Sequence, residues 1–123
     1  MIYKQTKVKI TDNSGAKVVK VFHLCGYSAY HNCSSSGELV LGSVISYKAG
    51  SKIIKKQICQ VLLVTSKKNV FRKNGSCIKF DENRGIILSD SKKLLGTRIF
   101  GPISKDVKRK QNTRVLSLIS KSI

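Results

Sequence analysis

The amino-acid sequence predicts a mainly β fold, a small barrel of five or six short strands with short helices at its C-terminal end. Three observations predict it: polar punctuation cuts the chain into short runs rich in Val and Ile, two of those runs are nearly continuously apolar, and Asn74-Gly75 is a hairpin signal between alternating segments.

The elements follow in chain order. Lys7-Val8-Lys9-Ile10 alternates apolar and charged, Asp12-Asn13-Ser14-Gly15 supplies turn chemistry, and Val18 to Leu24 reads as the returning strand of a first hairpin. Residues 27–37 read as a polar loop. The runs from Leu39 to Tyr47 and from Ile58 to Thr65 carry the signature of strands buried on both faces or wrapped into a barrel, and a basic, Gly-containing loop joins them. Val70-Phe71 and Cys77-Ile78-Lys79-Phe80 flank Asn74-Gly75, where both turn residues tolerate a positive φ, and Ile86-Ile87-Leu88 supplies another strand. Gly42, Gly50 and Gly96 read as bends or bulges, and Phe22, Phe71, Phe80 and Phe100 as core.

Beyond Gly101-Pro102 the pattern changes. Ser104 is placed to cap a helix with Asp106 in its first turn and Lys108, Arg109 and Lys110 at its end, where those charges complement the helix dipole. Val115, Leu118 and Ile119 recur at helical spacing, so a second helical turn is expected to pack on the barrel. A length of 123 residues suits one domain, with the barrel over about residues 1–102 and the helical tail over about 103–123.

Composition narrows the function. Twenty-four Lys and Arg against six Asp and Glu give a formal net charge of +18, yet 41% of the residues are hydrophobic, too many for a disordered basic tail. A folded domain with that charge repels itself unless a polyanion neutralises it, and nucleic acid is the leading polyanion. A membrane is the weaker partner, because no apolar run approaches the roughly 18 residues of a spanning helix and the N-terminal residues lack a secretory apolar core. Cys25, Cys33, Cys59 and Cys77 contain no Cys-x-x-Cys pair and, with His23 and His31, fit no usual zinc spacing. They read as reduced thiols filling apolar positions, with no metal and no cofactor expected.

Catalysis needs titratable groups set against one another. Two His and six scattered acids are poor material, and Asp81-Glu82, adjacent on an extended chain, would point to opposite faces. No Gly-rich phosphate loop precedes a helix, so neither an enzyme nor a small-molecule substrate is indicated. An enzyme using Cys33 with His31 is the rival from another class, and an RNA-binding barrel acting on its own is the middle alternative. The basic clusters carry the stronger signal. Lys48, Lys52, Lys55 and Lys56 share one loop, while Lys67, Lys68, Arg72, Lys73 and Lys79 surround a hairpin, and Lys105, Lys108 and Arg109 join them from the tail. Flexible lysines on projecting loops suit phosphates, whereas base readout calls for stacking aromatics or bidentate arginines, so recognition of folded RNA by shape is expected.

Three blocks then resemble a known family. Gln5-Thr6 followed by Thr11-Asp12-Asn13-Ser14-Gly15-Ala16 is similar to the opening of the universal large-subunit ribosomal proteins L-fourteen. Val61-Leu62-Leu63-Val64-Thr65, Lys67-Lys68, Val70, Asn74-Gly75-Ser76 and Ile78-Lys79-Phe80-Asp81-Glu82-Asn83 follow that family's signature in order and spacing, and Gly96-Thr97-Arg98-Ile99-Phe100-Gly101-Pro102 completes it. Gln60 departs where a small residue is usual, and residues 49–57 lack the proline and Gly-Asp step of bacterial members.

The resemblance implies a five-stranded barrel with a projecting hairpin and C-terminal helices, bound to large-subunit ribosomal RNA at the intersubunit face. It further implies partner contacts at Thr97, Arg98 and Arg114, near a bridge to small-subunit RNA and a docking surface for a ribosome-silencing factor, and sheet pairing with the neighbouring protein L-nineteen. A preference for Lys over Arg, with abundant Ile, Ser and Asn, resembles translation from an AT-rich genome. The mitochondrial matrix is the expected compartment, with the plastid stroma and the bacterial cytoplasm as alternatives.

Overall fold

A computed structural model describes residues 1–26, 32–109, 117–118 and 122–123. The chain runs through β1 (Ile2–Tyr3), β2 (Lys7–Ile10), β3 (Ala16–Leu24), β4 (Cys33–Ser34), β5 (Leu39–Tyr47), β6 (Ile58–Thr65), β7 (Val70–Phe71), β8 (Cys77–Ile78), β9 (Arg84–Leu88) and helix α1 (Asp106–Arg109). Strands β2, β3, β5, β6 and β9 close into a barrel, the five-stranded closure that the resemblance implies. Neighbours along it are antiparallel except where β9 returns beside β2, with Lys9 opposite Arg84 and Ile10 opposite Gly85.

The apolar runs are continuous because β6 and β9 are covered on both sides. Val61 and Leu63 of β6 and Ile87 of β9 join Val8, Val19, Val21, Val40 and Val44 inside the barrel. Leu62 and Val64, with Ile86 and Leu88, face outward into a second cluster with Ile99, Ile103 and Val107 from the C-terminal segment. The period of two thus assigns alternate residues of one strand to two cores, each fully buried aliphatic side chain contributing roughly 1.5–3 kcal/mol. Closure also demands small residues: a Cβ on Gly85 would stand 2.4 Å from Val61 Cγ1, and one on Gly42 2.3 Å from Val19 Cγ1.

Gly42 does lie at a bulge, where Val21 pairs with Gly42 but His23 with Leu41, and the close approach of Val19 is a second reason for glycine there. Other expectations need correction. Gly96 is likewise a contact point, since a Cβ there would meet Asn13 Oδ1 at 2.8 Å. Phe71 is 78% exposed and Phe100 57%, with Phe22 exposed as well, so these rings are not core; the interior is filled by aliphatic side chains from the two strand faces. Residues 27–37 are not all loop, because Tyr3 pairs with Cys33 and Ile2 with Ser34 in a small separate sheet. In the β7–β8 hairpin only Gly75 takes a positive φ. Gly75 N donates to Arg72 O at 3.0 Å and Arg72 N to Ser76 O at 2.9 Å, which makes a three-residue loop, and Asn74 serves through Oδ1 as acceptor for Ser76 N.

The cap of α1 is as expected: Ser104 Oγ accepts from Asp106 N at 3.3 Å and donates to Asp106 Oδ2 at 2.7 Å. Of the second helical stripe, Val115 and Ile119 lie outside the described residues, and Leu118 is 40% exposed. Gln60, the departure from the family signature, keeps Oε1 buried without a hydrogen-bond partner among the described residues.

Candidate nucleic-acid interface

The strand registers sort the basic residues onto opposite ends of the barrel. Ala16 faces Tyr47 at one end, which carries residues 11–15, residues 48–57 and the segment after β9. Thr65 pairs with Arg84 at the other, which carries the β7–β8 hairpin and α1.

The loop of residues 48–57 is built to present its lysines. Ile53 is buried in the barrel core and pins the middle. On one side Ser51 N and Oγ donate to Lys48 O; on the other, Ile54 N donates to Gln57 Oε1 at 3.1 Å and Gln57 N to Ile54 O. Lys56 N donates to Val44 O at 2.9 Å, with Lys56 at a φ of 66°. Anchored at these points, the loop leaves Lys48, Lys52, Lys55 and Lys56 exposed.

At the opposite end Lys67, Lys68, Lys73, Lys79 and Lys105 are all exposed, the first held by its amide to Asn83 Oδ1 at 2.9 Å. Arg72 differs from its neighbours. Its Nη2 lies 3.6 Å from Asp106 Oδ2 and donates to Ile123 O at 2.9 Å, so it ties the hairpin to α1 rather than facing a ligand. The side chains of Lys108 and Arg109, and all of Arg114 and His31, lie outside the described positions. Cys33 and Cys25 are partly buried thiols, and no group of three His, Cys, Asp or Glu among the described residues could hold a metal.

Thr97 and Arg98 are exposed on a segment that the first hairpin clamps. Thr97 N donates to Asn13 Oδ1 at 2.8 Å, Arg98 N donates to the same oxygen at 3.3 Å, and Asn13 Nδ2 donates to Thr97 Oγ1 at 2.8 Å. Asp12 supports the clamp from below, accepting from Ile87 N through Oδ2 at 2.8 Å and from Ser14 N through Oδ1. The Thr11–Ala16 and Gly96–Pro102 blocks, far apart in the sequence, therefore form one structural unit.

The acids do little to offset these lysines. Glu82 bonds Lys9 and Arg84, which hold its carboxyl below the usual glutamate range. Asp106 takes Arg72, and Glu38 receives Ser35 N and Oγ. Asp12 is spent on its own loop and β9. Only Asp81 and Asp90 stand exposed among the six acids. The surface is consequently positive at both ends of the barrel, the arrangement suited to a polyanion.

Sequence reasoning missed Lys17, which sits singly on β3 instead of in a run. The signal that finds it is alternation, since exposed Lys17 follows buried Ala16 along the strand. Compared with known protein families, residues 1–123 match the model of ribosomal protein L14p/L23e.

Proposed function

Since the chain belongs to the ribosomal protein L14p/L23e family, and is thereby a structural constituent of the large ribosomal subunit, we propose that it binds large-subunit ribosomal RNA by neutralising phosphates with the exposed lysines at both barrel ends. The observation that carries this is the uncompensated charge: four of the six acids are engaged inside the protein, while the lysines of residues 48–56 and 67–79 face solvent. Each phosphate contact releases condensed counterions, so affinity is won without base readout and falls steeply with salt. Rigid loops anchored by Ile53 and by the Asn83 contact to Lys67 hold the charges in a fixed pattern, which selects RNA shape.

Family membership fits a non-catalytic role, and ribosomal RNA and proteins are the partners it implies. The finer assignments are ours: Thr97, Arg98 and Arg114 contact small-subunit RNA at an intersubunit bridge or a silencing factor, a sheet edge pairs with protein L-nineteen, and the chain works in a mitochondrion. The Asn13 clamp supports the first, because a segment held by three hydrogen bonds presents Thr97 and Arg98 in a preset geometry.

The test is binding of the full chain to large-subunit ribosomal RNA across a salt series. Replacing Lys52, Lys55 and Lys56 by Gln should weaken binding and flatten the log–log salt slope by roughly 2, at about 0.7–0.9 for each phosphate no longer neutralised. A triple variant with unchanged slope and affinity would remove the loop from the interface.

A further inference from the structure

We propose that the groove between the β2–β3 hairpin and Phe100 receives one unstacked nucleotide of the bound RNA, its base against the Phe100 ring and its phosphates at Lys17 and Lys48. This rests on the RNA-binding reading above and adds a site to it.

The groove measures about 540 Å³, within the range of small-ligand pockets. Ile10, Ala16, Val18, Phe100, Lys17 and Lys48 are among the residues that line it. Its other polar groups are already occupied. Asp12 accepts from Ser14 and Ile87, Asn13 holds the Thr97–Arg98 segment, and Lys9 is bound to Glu82. What remains for a ligand is an apolar surface, an aromatic face and two ammonium groups. That combination matches a nucleobase with its flanking phosphates better than any single amino-acid side chain, because a base offers a π face and carries its anions with it.

The backbone that carries the ring is held in place although 57% of the residue is exposed. Phe100 N donates to Thr11 O at 2.8 Å, the preceding Ile99 is buried in the outer core, and Asp12 bridges to Ile99. After it, Gly101 takes a φ of 85° where a Cβ would lie 2.7 Å from Arg84 Nη1. A ring whose backbone is fixed on both sides loses little freedom on stacking. An exposed phenylalanine with no role in either core is what a stacking wall requires.

The full chain is titrated with large-subunit ribosomal RNA, comparing Phe100→Leu, Phe100→Trp and the pair Lys17→Gln with Lys48→Gln. Leucine keeps apolar bulk but has no π face. The proposal expects Phe100→Leu to weaken binding roughly 5- to 150-fold and Phe100→Trp to bind at least as well as the parent. The lysine pair should lower the salt slope by roughly 1.5. If Phe100→Leu binds like the parent while the Lys52, Lys55, Lys56 variant is weakened, the groove holds no base and the RNA-binding reading stands; that is also the outcome if a protein side chain occupies it. If the parent chain does not bind this RNA, both readings fall.

Discussion

Replacing Asn13 by Ala should loosen the Thr97–Arg98 segment without unfolding the barrel. The side chain makes hydrogen bonds of 2.8, 2.8 and 3.3 Å to Thr97 N, Thr97 Oγ1 and Arg98 N. A hydrogen bond contributes roughly 0.5–1.5 kcal/mol net, and Asn13 is exposed, so water replaces the missing partner and no buried group is orphaned. At the low end of that range, which suits exposed bonds, the three together should amount to about 1.5–2 kcal/mol of local stability. Amide exchange at Thr97 and Arg98 should therefore quicken roughly 10- to 30-fold, while amides of β5 and β6 keep their protection. Asn13→Asp keeps an acceptor for both amides and loses only the donation to Thr97 Oγ1, so it should retain most of the protection. Unchanged exchange at Thr97 in the Ala variant would refute the clamp. An equal loss across β5 and β6 would show that Asn13 supports the fold as a whole.

Other expectations concern the core and the titrating groups. Gly85→Ala should destabilise by roughly 1–3 kcal/mol through the 2.4 Å clash with Val61 Cγ1, and Val61→Ala in the same chain should recover part of that loss; additive effects in denaturation would disprove the contact. The lowered carboxyl pKa of Glu82, caused first by the Lys9 bond and then by Arg84, means its pairing stabilises the fold above the ordinary glutamate range and is lost as the pH falls through the lowered value. Carbon-detected titration should place the Glu82 midpoint below that of a free glutamate, and Lys9→Gln should move it up. Burial, with Asp12 nearby, pushes the Cys59 thiol up to about 11, so alkylation at pH 8 should label exposed Cys77 well before Cys59; the reverse order would contradict the placement of Cys59 in the barrel wall.

The barrel was legible because its strands are long enough to show a period. Lys7–Ile10, Leu39–Tyr47 and Ile58–Thr65 appear in the structure with the bounds that alternation and apolar runs indicate. β1 and β4 have two residues each, too few for a period, and they exist only because Ile2 is buried and Ser34 lies across from it. The aromatic residues misled for a different reason. Hydrophobicity predicts burial only while a core has room, and two aliphatic clusters already fill this one, leaving Phe71 and Phe100 outside. The lysine loops were readable as charge runs, but Arg72 was not separable from them until Asp106 and Ile123 came beside it in space. The joining of residues 11–16 with residues 96–102 is a long-range fact of the same kind.

The most direct test of the account is sedimentation of the tagged chain from a lysate of its own source through a sucrose gradient, at low magnesium and after a high-salt wash. The account predicts that it travels with the dissociated large subunit. Recovery at the top of the gradient would contradict the ribosomal role and favour a free RNA-binding barrel.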